Sequence, residues 1–165
     1  MQRPHKKKIN KLTPKLLYEP IKEHLESFQD DFYDKPRACP RCKSNNRKKL
    51  RIEKKLFCKI IVNKGFKDVY VYVQRFQCKD CNKTYIGKAP FYDGIVYCKP
   101  IVNLILYLTA KNPFNRVEKI LLELGIQADR DTVRNYALRF QVKIKQYTGM
   151  KIFDKTLGIN LLKVM

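Results

Sequence analysis

The middle of the chain alternates between apolar and polar positions. Residues 50–62 and 67–77 are rich in Ile, Val, Phe and Tyr, and the intervening residues 63–66 have the sequence Asn-Lys-Gly-Phe, which is typical of a turn. Within 68–74 the valines fall on one face of an extended strand and the tyrosines on the other. The pattern predicts an extended β-hairpin.

On both sides of this hairpin the apolar residues recur at a helical period. Upstream, residues 20–33 predict one amphipathic helix, with Pro20 in its first turn. Its apolar positions are Ile21, Leu25, Phe28 and Phe32. The polar face of this helix is acidic, and it either packs near the basic hairpin, serves in self-association or is simply solvated.

Downstream of the hairpin, the sequence predicts a linker and three helices. Ala89-Pro90 and Asp93-Gly94 break the chain. Helices are then expected over 96–110, 115–124 and 129–147, because apolar residues recur there every three or four positions. The period thus changes from two to about 3.6, which marks a second, helical unit.

The last two of these helices have the organisation of a helix-turn-helix. Gly125 can adopt the positive φ angle that the turn needs, Ile126 can fill the angle between the helices, and Asp129 can cap the second helix. Plain three-helix bundles share this periodicity. The buried face of the last helix is predicted to comprise Val133, Tyr136, Ala137, Phe140, Ile144 and Tyr147.

Four cysteines flank the hairpin as two C-x-x-C pairs, Cys39/Cys42 and Cys78/Cys81. Two such turns facing each other complete a closed tetrahedral S₄ site, which suits one structural Zn²⁺ and leaves no open position for catalysis. The 35 intervening residues exceed the usual spacing, but the hairpin would return the chain. Two disulfides or four free cysteines are the alternatives, and disulfides are disfavoured because the chain has the features of an intracellular protein.

Other candidate ligands and nucleophiles have weaker support. Cys58 and Cys98 lack a C-x-x-C partner and are expected to be buried apolar residues of the core. His5 and His24 lie outside the cysteine segment, and no Ser/His/Asp grouping is present in the sequence. The chain is therefore expected not to be an enzyme.

Charge points to a polyanionic partner. The net charge is +21, and residues 35–88 hold 17 basic residues against three acids, whereas six acids concentrate in 18–34. Such a balance favours double-stranded DNA. A lysine-rich proteome is the alternative explanation for the basic residues, but it does not explain why the acids concentrate in one helix.

Candidate DNA contacts follow from the predicted elements. Side chains of the third helix that reach bases and phosphates are expected to face outward, and two lysines between the first cysteine pair and the hairpin are expected to contact phosphates. These candidates are Arg130, Thr132, Arg134, Asn135, Arg139, Lys48 and Lys49.

The sequence predicts an α+β protein in four parts. These are a basic arm and amphipathic helix over 1–34, a zinc ribbon over 35–88, a trihelical helix-turn-helix domain over 89–149 and a C-terminal remnant over 150–165. No apolar run reaches the 18 residues of a membrane span, and no secretory leader is recognisable, so a cytoplasmic, nucleoid-associated protein is expected.

The order of these parts resembles the N-terminal half of insertion-sequence transposases, especially archaeal ones. The resemblance covers about residues 36–147 and rests on the two cysteine pairs, on the segment 115–126 and on the sequence DRDTVRNY at 129–136. It implies that the ribbon and the helix-turn-helix recognise the terminal inverted repeats of a mobile element. In that family an RNase H-like domain with a D-D-E triad then cuts and joins DNA with Mg²⁺.

The chain departs from that family where the catalytic domain would begin. After Gly149 it offers one carboxylate, Asp154, whereas the triad needs three. A truncated, non-catalytic DNA-binding module is therefore expected, with a homodimer as a possible assembly. The alternative is a free-standing transcription regulator with a zinc ribbon and a helix-turn-helix. A nuclease is disfavoured by the missing carboxylate and histidine clusters.

Overall fold

The computed structural model describes residues 14–63 and 65–141. Their class is mixed α+β, as predicted, with four helices and a four-stranded sheet among the described residues. The elements are α1 (Pro14–Glu26), β1 (Phe32–Tyr33), β2 (Arg47–Val62), β3 (Gly65–Cys78), β4 (Thr84–Ile86), α2 (Lys99–Thr109), α3 (Phe114–Glu123) and α4 (Arg130–Arg139). The predicted continuous helix over 129–147 was wrong, because α4 ends at Arg139 and the backbone of Phe140, its C-cap, is not helical. The basic arm and the C-terminal remnant, with His5, Ile144, Tyr147 and Asp154, lie outside the described residues.

The sheet is built around β3. Antiparallel β2 pairs with one edge of β3, and the short strands β1, which is parallel, and β4, which is antiparallel, pair with its other edge. The predicted antiparallel pairing of the two long strands is confirmed. The valines at 69, 71 and 73 are fully buried, and Tyr70 and Tyr72 between them are half-buried, so the predicted two-faced strand is also confirmed.

Strand β2 is longer and less regular than the sequence predicts. It begins at Arg47, opposite Cys78, and its register shifts after Lys49 and again after Leu56. Lys48 and Lys49 were predicted to lie in a connection before the hairpin, but they lie within β2. The prediction was wrong because it took the start of the apolar run as the start of the strand, whereas backbone pairing continues through the charged residues.

The first helix begins at Pro14 and ends at Glu26, so the predicted bounds of 20–33 were wrong and Pro20 is internal. The helix extends upstream because Leu17 packs on the core and the Tyr18 hydroxyl donates to the carbonyl of Ile61 at 2.7 Å. Downstream, the chain turns at Asp30, which has a φ of 67°. This turn carries Phe32 into β1.

One core joins the helices to the part of the hairpin near its turn. It contains Leu25 from α1, Phe57 and Ile60 from β2, Ile105 from α2 and Val133 from α4. Hairpin and helices therefore bury their apolar faces against each other, while the proposed boundary between 88 and 89 stays a prediction. Among the described residues, no helix combines the length and apolarity needed to cross a membrane.

The connection between α3 and α4 is bonded to the outer edge of β2. The amide of Ile61 donates to the carbonyl of Gly125 at 2.8 Å, and the amide of Gln127 donates to that of Lys59 at 2.9 Å. Ile60 and Ile126 form an isolated β-bridge between these bonds. Over 47–56, by contrast, no described strand pairs with the outer edge of β2.

Candidate metal centre

The four predicted cysteines come together at the end of the hairpin opposite its turn. The sulfur atoms of Cys39, Cys42, Cys78 and Cys81 all lie within 4.8 Å of one another. Sγ of Cys39 is 3.5 Å from that of Cys81, and the sulfurs of Cys42 and Cys78 are also 3.5 Å apart. All six cysteines of the chain lie among the described residues and are free thiols, so the disulfide alternative is not observed.

The two C-x-x-C turns have matching backbone hydrogen bonds. The amide of Cys39 donates to the carbonyl of Ser44 at 2.9 Å, and the amide of Cys78 donates to that of Lys83 at 3.0 Å. The residue after each second cysteine is left-handed, with φ angles of 62° at Lys43 and 58° at Asn82. Each turn thus folds back over its own cysteines, and the two turns present their sulfurs from opposite sides of one point.

Polar contacts join the two turns directly. The side-chain amide of Asn46 donates to Asp80 Oδ1 at 2.8 Å, and the backbone amide of Lys79 donates to the carbonyl of Asn46 at 2.9 Å. Hydrogen bonds from Ser44 and Asn46 lower the pKa of the Asp80 carboxyl. This bonding stabilises the charged carboxylate and fixes the distance between the turns.

Local electrostatics split the thiol pKa values. Burial raises the pKa of Cys39, but N–H groups of Cys42 and Arg41 and the neighbouring thiols bring it down to about 6. At Cys42 the amide of Ser44 lowers the pKa, yet the neighbouring sulfurs, Cys78 first, raise it to about 12. Four thiols this close cannot all ionise without a cation between them, because adjacent thiolates repel each other.

A small separate core supports the cluster. Phe76 and Tyr85 stack with ring centroids 6.0 Å apart and are buried together with Cys39 and Cys78. The Tyr85 hydroxyl donates to the carbonyl of Arg37 at 3.2 Å. Few apolar residues lie here, so a bound metal would supply a large part of the local stability.

The donor set fits one metal ion. A tetrahedral Zn²⁺ with Zn–S bonds of about 2.3 Å separates its sulfurs by about 3.8 Å. Two pairs of sulfurs here are 3.5 Å apart and all four lie within 4.8 Å of one another, which suits such an ion. Among the described residues this is the only group of three or more Cys, His, Asp or Glu side chains placed to hold a metal. The exposed His24 lies at the end of α1, where its ring meets Phe28 edge-on.

The two remaining cysteines are buried in the main core, as predicted. Cys58 and Cys98 are both 0 % exposed. Cys98 precedes α2 as its N-cap and donates its amide to the carbonyl of Phe57 at 3.0 Å. Burial raises the pKa of Cys98 to about 12 and also raises that of Cys58.

The candidate DNA-contact residues of α4 are distributed unevenly. Arg130, Arg134 and Asn135 are exposed, and Thr132 is half-buried. The Asp129 carboxylate accepts the Thr132 amide at 2.7 Å and caps the helix as predicted. Lys48 and Lys49 are exposed on β2, separate from these helix residues in the chain and on a different element.

Arg139 differs from the other candidates because its guanidinium is already bonded within the protein. It donates to the carbonyls of Gly94 at 3.1 Å and Asp93 at 2.8 Å. The Asp93 carboxylate in turn pairs with Arg37 at 2.8 Å. No sequence pattern predicts these contacts, because Arg139 lies 46 positions after Asp93 and Asp93 lies 56 positions after Arg37.

Comparison of the chain with protein-family models, with curated proteins and with solved structures gave no match in any of the three. The resemblance to transposases therefore rests on the motifs quoted above, and the cysteine cluster is the functional feature that the structure supports: four thiols that could hold one metal ion.

Proposed function

We propose that this chain is a zinc-dependent DNA-binding protein, in which a Cys₄ zinc ribbon and a helix-turn-helix formed by α3 and α4 act on one duplex. The observation that carries the proposal is the exposed face of α4. Arg130, Arg134 and Asn135 have no partner among the described residues, although each offers several donors.

Zinc is the ion that best suits the cluster. Four thiolates form a soft donor set, and structural sites with four cysteines and this geometry are typical of Zn²⁺. The ion would compensate the thiolate charge that the cluster cannot otherwise hold. It would have no catalytic role, because four sulfurs leave no coordination position for water or substrate.

Two features of the connection between α3 and α4 support a helix-turn-helix. Gly125 has a φ of 81°, which allows the sharp turn after α3, and Ile126 is fully buried between the helices and the hairpin. Helix α4 buries Val133, Tyr136 and Ala137 and exposes the opposite side. Arginine suits guanine edges and phosphates, and asparagine suits adenine.

The hairpin adds a sequence-independent component. Over 47–56 the outer strand carries six Lys or Arg residues and one Glu. The side chains of Lys48 and Lys49 are exposed there and have no partner among the described residues. Cations placed in this way contact phosphates and strengthen binding to all sequences about equally.

Recognition of the terminal inverted repeats of a mobile element is the biological role that the transposase-like motifs favour. A transcription regulator would use the same surfaces at a promoter. Recurrence of the selected site as an inverted repeat around the gene favours the first role, and its position in a promoter favours the second.

The test is selection of a preferred site from a random duplex library, followed by binding measurements on the selected and on scrambled DNA. We expect Arg134→Ala with Asn135→Ala to reduce discrimination, since each good base contact contributes about 1–3 kcal/mol. Lys119→Ala, on the exposed side of α3, is the matched control and should keep the discrimination.

Lys48→Ala with Lys49→Ala should weaken binding to both DNAs about equally and make the slope of log K against log salt shallower by about 1.8. Absence of duplex binding by the zinc-loaded protein at low salt would refute the proposed function. Unchanged site preference in the Arg134/Asn135 variant would remove α4 as the recognition helix.

A further inference from the structure

A groove of about 590 Å³ lies between the first C-x-x-C turn and the linker that follows β4. Arg41 contributes from the turn, Glu53, Lys55 and Arg75 from the long strands, and Asp93 from the linker. The volume is in the range of small-ligand sites. The groove is separate from the four sulfurs and from the exposed face of α4.

Most charges of the groove are already compensated within the protein. Arg75 pairs with Glu53, and Asp93 pairs with Arg37 from outside the lining. The Lys55 ammonium donates to the carbonyl of Ile95 at 3.0 Å. These contacts account for both carboxylates that line the groove.

Two basic side chains of the lining are not compensated by these contacts. Arg41 lies in the first C-x-x-C turn, and Lys83 follows the second. Both are exposed, and neither side chain has a partner among the described residues. Thr84 beside Lys83 adds a hydroxyl to the lining. The groove therefore has an excess of positive charge and hydrogen-bond donors, which favours an anionic ligand.

The groove is also held in a fixed relation to α4. The Asp93–Gly94 segment is bonded on one side to Arg37, which leads into the first cysteine turn, and on the other to Arg139 at the end of α4. Gly94 has a φ of 70°, and a Cβ there would lie 3.0 Å from the Arg139 guanidinium. One short segment thus joins the metal cluster, the groove and the helix.

We propose that this groove is a phosphodiester-binding site for the nucleic acid that α4 contacts, with Arg41 and Lys83 as its phosphate ligands. The inference rests on the proposed function. A phosphate presents several oxygens to the Arg41 fork, the Lys83 ammonium and the Thr84 hydroxyl together, and Arg and Lys are the side chains that most often bind it. The site would extend the DNA contact from α4 to the cysteine turns.

The test uses the full-length, zinc-loaded protein and a 16-base-pair duplex of scrambled sequence. We expect Arg41→Ala with Lys83→Ala to make the slope of log K against log salt shallower by about 1.8, the effect of two lost phosphate contacts. Lys79→Ala with Lys88→Ala removes the same charge from exposed positions outside the groove and should change the slope less. An equal change in both pairs would overturn the proposal.

Amide resonances provide a second measurement. Those of Thr84 and Gly94 should shift when the duplex is added to the wild type and stay in place in the Arg41/Lys83 variant. If the wild type binds the duplex without these shifts, the proposed phosphate site is refuted and the proposed function is not. If the wild type binds no duplex, the proposed function fails, and titration with inorganic phosphate decides the groove. Phosphate-induced shifts of Thr84 and Gly94 that occur in the wild type and not in the Arg41/Lys83 variant would support an anion site in the groove. The absence of such shifts in the wild type would overturn that site.

Discussion

Replacement of Gly125 by alanine tests how the α3–α4 connection is held. The residue has a φ of 81°, and a Cβ built there would lie 2.7 and 2.8 Å from two ring atoms of Tyr18. The Tyr18 ring cannot move away freely, because its hydroxyl is bonded to the carbonyl of Ile61 at 2.7 Å. The substitution therefore forces either the ring or the connection to shift.

Two contributions determine the expected loss of stability. The left-handed backbone costs about 1–2 kcal/mol for a residue with a Cβ. Forcing an extra carbon against a packed ring costs about 1–3 kcal/mol. We therefore expect Gly125→Ala to lower the free energy of unfolding by about 2–5 kcal/mol, a large fraction of the stability of a typical domain.

The assay is urea unfolding of the zinc-loaded protein followed by circular dichroism. Gly94→Ala is the matched control, because its φ of 70° is similar but its new Cβ would lie 3.0 Å from the end of the long Arg139 side chain, which needs a smaller shift than the Tyr18 ring. It should show mainly the backbone cost. Combining Gly125→Ala with Tyr18→Ala should remove the steric contribution and give a coupling energy of about 1–3 kcal/mol. A loss below about 1 kcal/mol in Gly125→Ala, or zero coupling, would show that Tyr18 does not hold the turn.

Three further predictions follow from the cysteines and from the exposed surface. Metal analysis of the purified protein should find one zinc per chain. Cys42→Ser should lose the zinc and unfold the small core around Phe76 and Tyr85 while the main core stays folded, which amide exchange would show. A small core that stays folded without metal would contradict this. With zinc saturating, the free energy of unfolding should fall as the pH rises above 9. Burial keeps Cys58 and Cys98 protonated in the folded state, whereas the unfolded chain, with thiol pKa values near 9.0, releases these protons. The expected fall is up to about 1.4 kcal/mol per pH unit for each buried thiol. Below pH 9 the buried thiols contribute their full stabilisation to the folded state. Cys58→Ala with Cys98→Ala should therefore make the fall in stability with pH shallower, and an equal fall in that variant would exclude the thiols as its cause. Supercoiled plasmid incubated with the protein and Mg²⁺ should stay uncut, and nicking by the purified chain would contradict the expectation that it is not an enzyme.

Local patterns predicted the parts of the structure that depend on a single element. Alternation in 68–74 identified the buried face of β3, and the cysteine spacing identified the cluster, because both depend on the fixed geometry of a strand or a turn. Asp129 was identified as a cap for the same reason, since its carboxylate needs only an amide three residues ahead.

Contacts between distant segments could not be predicted in this way. Alternation does not show the first register shift of β2, because residues 48–52 are all exposed and an extra residue there does not change the apolar pattern. The bonds from Arg139 to Asp93 and Gly94 likewise depend on how α4 packs, and an exposed arginine on a helix has the same sequence pattern whether it contacts DNA or its own linker. Pro20 gave a misleading helix start because proline is frequent in a first turn and rare inside a helix.

Over 47–56 the outer edge of β2 pairs with no strand among the described residues, and this bears on how the protein behaves at high concentration. Such an edge offers free amides and carbonyls to a second molecule, and this is the usual route to strand-by-strand aggregation. Here the residues at 47–56 would bring six cations and one carboxylate from each copy into register, so two edges repel each other. The same charges that would attract DNA therefore keep the protein from pairing through this strand, and any dimer of the chain would have to form through another surface.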